Sequence, residues 1–400
     1  MKATKSGNGL VVIETHPVQY HAPVYRMLQQ CFGIPVTAIY SSDFSLAGYH
    51  DKEFRSTFAW DTDLLSGYTS LFLSRTSSNG SRSMKKISTG GIEKAIEKVQ
   101  PKTVLLVGYA VPFYQKAFHY AWRKKYPILF RAETTDHALK RNWFKRWSRD
   151  KVLQWLYRRC HRLLYIGRHS YAHFKRLGCP EEKLVFSPYC VDTAPFQCEE
   201  KDRIRLRTTV RQNLGIEDDE IAFLFSGKQS FRKGPDLLLN ATKRLPEEIR
   251  RKIAVLYMGD GELRGNLEIC ARQSPFIKAR FLGFQNQSQL SGYYHAADLL
   301  VVPSRHSEVW GLVVNEGLHH GLPCIASDAV GCALDLIDVG ITGEIFETES
   351  VEGLKAALLR AFSLINQAEI RSKCRDKVRG YTVEKAAEGI ANAYRTVTNE

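Results

Sequence analysis

Ser304-Arg-His-Ser-Glu308-Val-Trp-Gly-Leu-Val-Val-Asn-Glu316-Gly-Leu-His-His-Gly-Leu-Pro-Cys-Ile-Ala-Ser327 sets two carboxylates eight positions apart, with a glycine between them and a Gly-Leu-Pro turn behind. The apolar run Asp298-Leu-Leu-Val-Val-Pro303 precedes it and reads as a buried strand. A helix is expected to start at Gly311 and to stop at Gly321 and Pro323. Eight residues of unbroken helix would part the two carboxylates by roughly 12 Å. A loop-then-helix path instead lets both face one pocket above the strand's C-terminal end, where ligands bind in open α/β sheets. Backbone N–H groups at the helix start, near Gly311, Leu312 and Val313, favour a phosphate. Carboxylates beside it would accept hydrogen bonds from the hydroxyls of a ribose or sugar ring. The competing reading is an ordinary strand-turn-helix unit with two solvated glutamates.

Outward from that stretch, short apolar runs alternate with helical patterns along the whole chain. Gly9-Leu-Val-Val-Ile13, Val36–Tyr40, Thr103–Val107, Pro127–Phe130, Arg162–Ile166 and Leu184–Phe186 read as strands in the first half. Ile221–Phe225, Ala254–Tyr257, Ala279–Leu282 and Leu299–Val302 read as strands in the second. Such alternation predicts parallel, doubly wound sheets. Four hundred residues exceed one typical core. The expectation is α/β with two Rossmann-like domains whose parallel sheets face a central cleft. The limits expected are 1–192 for the first domain, 193–202 for a linker, 203–380 for the second domain, and 381–400 for a terminal helix.

Composition is that of a globular protein, with 44% hydrophobic and 25% charged residues. The apolar runs are of strand length, far below a membrane span. The residues after Lys2 and Lys5 make no signal-peptide core, and nine cysteines without C-x-x-C spacing fit reduced thiols. A cytoplasmic location is therefore expected. The net charge of +15 is uneven: residues 1–200 hold 30 Lys and Arg against 16 acids, whereas the second half is nearly balanced. Leu139 to Gly178 is densest, with twelve basic residues and one acid, Asp150, interleaved with Trp143, Phe144, Trp147, Trp155 and Leu156. A basic helix with aromatics on its other face can lie in an anionic membrane interface. The alternative is a helix that packs its aromatics into the core.

Two further features of the second half point to the same cleft. Phe225-Ser-Gly-Lys228-Gln-Ser-Phe-Arg-Lys233-Gly234 reads as strand, basic loop and helix start, and its lysines could neutralise a diphosphate as charge builds on a leaving group. Met258-Gly-Asp-Gly-Glu262 and Phe281-Leu-Gly-Phe284-Gln are turn-rich strand ends able to hold a flat base.

On these residues the second half resembles the nucleotide-sugar domain of the family 4 (group 1) glycosyltransferases, retaining enzymes of the GT-B fold. Glu308 and Glu316 match the family's E-x7-E motif, and Lys228 and Lys233 fall on its basic pair. The first of these is usually Arg; Lys keeps the charge and loses the bidentate fork. The resemblance implies that Glu316 holds the donor ribose, Glu308 the transferred sugar, and the amides of Gly311, Leu312 and Val313 the diphosphate. Gly283, Phe284 and Gln285 would frame the base. It extends more weakly over Tyr165–Asp192. His16–Tyr20 and Trp60–Tyr68 look like a subgroup acting on bacterial surface polysaccharides or glycoconjugates.

The implied activity is transfer of a sugar from a nucleoside-diphosphate donor to a glycan or lipid-linked acceptor, without a metal or other cofactor. Where many members carry His after the Pro127–Phe130 strand, this chain has Arg131-Ala-Glu133-Thr-Thr-Asp136-His137. Glu133 takes roughly that position, with Arg131 and His137 as further candidates; His16, at the end of the first strand, reads either as a loop residue near donor or acceptor or as a cap. Asp61-Thr-Asp63 resembles a metal-nucleotide motif of another fold and reads better as a surface turn; the sequon at Asn79 carries no weight. An epimerase or phosphorylase on the same architecture is the rival enzyme. A nucleic-acid partner is not expected, since no binding motif accompanies the basic half.

Overall fold

A computed structural model describes residues 9–46, 49–51, 56–58, 61–75, 89–137, 142–196, 199–274 and 276–399. Lys2, Lys5, Trp60, Asn79 and the first residues of the basic stretch, 139–141, lie outside the described residues.

The first half carries β1 (Leu10–Glu14), β2 (Val36–Ser42), β3 (Tyr49–Asp51), β4 (Ser56–Phe58), β5 (Thr69–Ser74), β6 (Thr103–Leu106), β7 (Ile128–Phe130), β8 (Arg162–Tyr165) and β9 (Leu184–Phe186). Apart from the β3–β4 hairpin, these strands form one sheet in the order β5-β2-β1-β6-β7-β8-β9, with every neighbouring pair parallel. The second half adds β10 (Ile221–Ser226), β11 (Ile253–Met258), β12 (Lys278–Gly283), β13 (Leu299–Val302), β14 (Cys324–Ser327) and β15 (Gly343–Phe346). They form a second parallel sheet in the order β12-β11-β10-β13-β14-β15.

Helices cover both faces of each sheet, so the central strands are buried all along: Leu10-Val-Val-Ile13 and Leu299-Leu-Val-Val302 are fully or almost fully shielded. Each such side chain contributes about 1.5–3 kcal/mol by leaving water. Strand order reverses at β1 in one sheet and at β10 in the other, which fixes the ligand crevice outside their C-terminal ends. The last helix, Val383–Thr398, packs Val383, Ala387, Ile390 and Tyr394 into the core built by Leu10, Val12 and Val36 of the first sheet. It lies so close that a side chain at Gly389 would meet the Phe186 carbonyl at 2.0 Å.

The patternless segment 193–202 contains a 3-10 turn, Ala194–Phe196, and the start of the helix Glu200–Leu214. That helix has no apolar stripe to betray it. It docks through arginines, Arg207 donating to the carbonyls of His295, Ala296 and Ala297 and Arg211 to Ala296, both also pairing with Asp298. The basic helix Trp143–Arg159 does not separate aromatics from charges. It buries Leu153, Leu156 and Tyr157 and leaves Trp143, Phe144, Trp147 and Trp155 exposed among its lysines and arginines.

Candidate functional site

The Glu308 loop is built by close approach. Gly234, with φ +67°, lies where a Cβ would strike the Pro303 carbonyl at 2.2 Å, so the Lys-Gly turn tucks under the end of β13. This brings Lys233 Nζ onto Glu308 Oε2 as an ion pair. Ser304 Oγ donates to the same oxygen at 3.1 Å, and Arg232 stands 3.6 Å away. Arg305 anchors the loop from below, pairing with Asp236 at 2.6 Å and Glu349 at 2.9 Å.

Gly311, at φ +99°, turns the chain into the helix Leu312–His319, which has no acidic residue in its first turn and no capping side chain. Its N-terminal end is electrostatically open to an anion. One turn in, Glu316 is buried, only 2% exposed. Tyr294 donates to its Oε2 at 2.6 Å and Tyr20, from the first domain, to its Oε1 at 3.5 Å. Burial pushes the Glu316 carboxyl up to about 7, against the opposing effect of those hydroxyls. The Tyr20 hydroxyl is raised well above the tyrosine range by burial and then by Glu316 and, more weakly, Glu308. Tyr20 thus feels the charge of both carboxylates.

The remaining candidate residues of the second half lie on three interlocked strand-end loops. Gly227 N–H donates to Met258, Gln229 N–H to Asp260 and Gly259 N–H to Gly283. A Cβ on Gly259 would meet the Gly227 carbonyl at 2.0 Å, which explains the glycine there. Lys228 sits within the first loop and Gly283, Phe284 and Gln285 form the last, where Gln285 Nε2 donates to the Leu282 carbonyl at 2.7 Å.

Facing them, Glu133 stands in the loop after β7 and accepts from Tyr189 at 2.8 Å. Arg131 is buried and spends its guanidinium on Ser187 and the Pro188 carbonyl, under the Tyr189 ring, so it holds the chain rather than a ligand. His137 stacks on His169 at 4.2 Å, and the His16 ring lies 4.3 Å from that of Phe44, tilted by 38°. Asp63 accepts from the Ser66 hydroxyl and from the N–H groups of Leu65 and Ser66, which together hold its pKa down to about 2, and Asp61 accepts from Ser288 across the cleft. Both carboxylates of this Asp-Thr-Asp thus serve chain contacts.

The structure adds residues that sequence reasoning passed over. Glu14 ends β1 only 2% exposed, with His21 Nδ1 at 2.5 Å and the Tyr25 hydroxyl at 3.0 Å. An acid closing an apolar strand was a usable signal. Tyr20, Tyr189, Tyr294 and Trp310 gave none, being aromatics in ordinary surroundings.

Residues 207–380 match the model of the family Glycosyl transferases group 1. By that match this segment is similar to the group 1 glycosyl transferases. It contains Lys228, Lys233, Gly283, Glu308 and Glu316 together. The chain is 31% identical over 208 residues to a glycogen synthase of Thermus thermophilus, covering 52% of this chain and 45% of that one. It is 29% identical over 222 residues to a lipopolysaccharide 1,2-N-acetylglucosaminetransferase of Salmonella typhimurium, covering 54% and 55%. The chain therefore spans about half the length of these curated relatives. The crystal structure of Anabaena HepE in complex with UDP aligns over 97% of this chain and 100% of its own, with a TM-score of 0.72 and 15% identity. The two facing sheets are accordingly a GT-B fold, with the matched segment in its second half.

Proposed function

We propose that this protein is a retaining, family 4 glycosyltransferase that moves a sugar from a nucleoside-diphosphate donor to a glycan or lipid-linked acceptor. The observation that carries the reading is the Glu308–Lys233 ion pair and the buried Glu316, which both follow β13 and both act on Tyr20, within the segment that matches the group 1 glycosyl transferases. Glu316 receives the ribose hydroxyls and Glu308 those of the sugar. Lys228, Lys233 and the amides of Gly311, Leu312 and Val313 take the diphosphate, and Gly283, Phe284 and Gln285 border the base. The anomeric carbon loses its bond to phosphate and gains one to the acceptor oxygen on the same face, the acceptor proton passing to the departing diphosphate. Glu133 lies on the acceptor side and orients the incoming hydroxyl. Two lysines and a helix start do the neutralising work of a metal ion.

The limits follow: residues 1–192 bind acceptor, 203–380 bind donor, and 381–400 tie them. The relatives named above differ in acceptor, which suits an acceptor choice made in the first half. No described helix is long and apolar enough to cross a membrane. With the exposed aromatics of Trp143–Arg159, this fits a cytoplasmic enzyme resting on an anionic membrane face.

Thermal-shift measurements against UDP, ADP and GDP and their sugars test the donor assignment, since ligand bound to the native state raises the melting temperature. One base should stabilise the protein in preference to the others, with EDTA making no difference. Release of nucleoside diphosphate only on adding acceptor separates transfer from epimerisation. No shift with any nucleotide would overturn the reading.

A further inference from the structure

A cavity of about 750 Å³ lies between the helices Pro112–Arg123 and Trp143–Arg159, away from the donor pocket. That volume is in the range of small-molecule sites. Its wall is apolar and aromatic, formed by Tyr109, Tyr114, Phe118, Val152, Trp155 and Leu156. Its inner end is Leu106 and Gly108, at the C-terminal end of β6. Tyr114 connects it to the acceptor side: its ring lines the cavity, while its hydroxyl bonds Thr15 and lies in the field of Glu14 and Glu133.

The exposed face of the helix Trp143–Arg159, which meets the cavity at Trp155, suits a lipid. Phe144, Trp147, Lys151, Trp155 and Arg158 recur at helical spacing on the face opposite Leu153, Leu156 and Tyr157. Trp143, Phe144 and Trp147 are 77%, 59% and 53% exposed, an arrangement that water alone does not reward. The helix carries six basic residues and one acid, and that acid, Asp150, is already held by Arg176 at 2.5 Å. The net field at the mouth is positive, and the aromatic rings have the amphipathic character of interfacial anchors.

We infer that this cavity seats the hydrocarbon chain of an anionic lipid acceptor, whose phosphate meets the basic rim while the chain lies along Phe118, Trp155 and Val152. This rests on the transferase reading and adds the acceptor's class and its place.

Dodecyl phosphate, kept below its micellar concentration, is the probe, titrated calorimetrically into the full chain. Saturable binding is expected in the wild type, and at least a tenfold weakening in Val152→Trp and Ser148→Trp, each of which fills the cavity from an exposed position. UDP, or whichever nucleotide stabilises the wild type, should bind both variants unchanged. Absence of saturable binding in the wild type, or equal binding in wild type and both variants, overturns the chain site. Nucleotide binding without dodecyl phosphate binding would sink this inference alone. Dodecyl phosphate binding that is lost in the filled variants, in a protein indifferent to every nucleotide, would uphold the site and sink the transferase reading.

Discussion

The hydroxyl of Tyr20, in the first domain, lies 3.5 Å from Glu316 Oε1 in the second, while Tyr294 holds the other oxygen at 2.6 Å. The longer bond is the weaker, being at the limit of useful geometry. A ribose hydroxyl can therefore replace Tyr20 at Oε1 without disturbing the anchor at Oε2. Glu316→Ala removes both acceptors and should weaken nucleotide binding by about 1.5–3 kcal/mol, roughly ten- to a hundredfold. Tyr20→Phe should leave affinity nearly unchanged. Calorimetric titration distinguishes the two, and full affinity in Glu316→Ala would remove it from the donor site.

The raised carboxyl of Glu316 makes donor binding sensitive to pH. Ionised carboxylates accept stronger hydrogen bonds than neutral ones, so nucleotide affinity should fall as pH drops from 8 to 6 through about 7. The sign for stability is opposite. A folded pKa of about 7 against an ordinary 4.5 means a contribution that is complete below 4.5 and lost as pH rises through 7. Glu316→Gln should flatten both profiles. Identical pH profiles in the wild type and the amide variant would place the titrating group elsewhere.

Much of this was legible beforehand, and the failures have physical causes. The central strands announced themselves because strands buried on both faces need continuous apolar runs. The Lys-Gly, Glu308 and Gly311 positions were legible because close approach and a left-handed turn demand glycine at fixed offsets. The helix Glu200–Leu214 escaped because it docks by Arg207 and Arg211 on carbonyls, which leaves no hydrophobic period. Tyr20 escaped because its partner lies 296 residues away. Contacts across the cleft have no local sequence signature.

Lys233 tests how the Glu308 loop is held. Its ion pair with Glu308 joins two groups that are only 18% and 11% exposed, with Ser304 as the other close partner. Lys233→Met leaves Glu308 with a weaker set and should cost about 1–3 kcal/mol of stability. Turnover should fall further, because the departing diphosphate loses a cation. Lys233→Arg should regain stability more than turnover. Chemical denaturation and initial rates on the same preparations separate these effects. Unchanged kcat in Lys233→Met would exclude it from the phosphate site.

Gly167 and Asp335 show how the cleft is set. Gly167 has extended backbone, φ 176°, that any residue could adopt. Space is what forbids a side chain there: its Cβ would stand 2.3 Å from the Trp310 ring. Trp310 lies between Glu308 and Gly311 and is locked by its N–H to Asn315 Oδ1 at 2.8 Å. Beside it, Asp335 accepts from the Arg168 N–H at 3.0 Å, a carboxylate of one domain capping a helix of the other, and from the Tyr381 hydroxyl at 3.0 Å. Asp335→Ala should cost about 1 kcal/mol through the lost cap alone. Gly167→Ala should cost about 1–3 kcal/mol by overpacking and, unlike Asp335→Ala, should lower kcat by displacing the Glu308 loop. If Gly167→Ala loses stability but turns over like wild type, Trp310 is packing only, and the interface does not position the donor-site carboxylate.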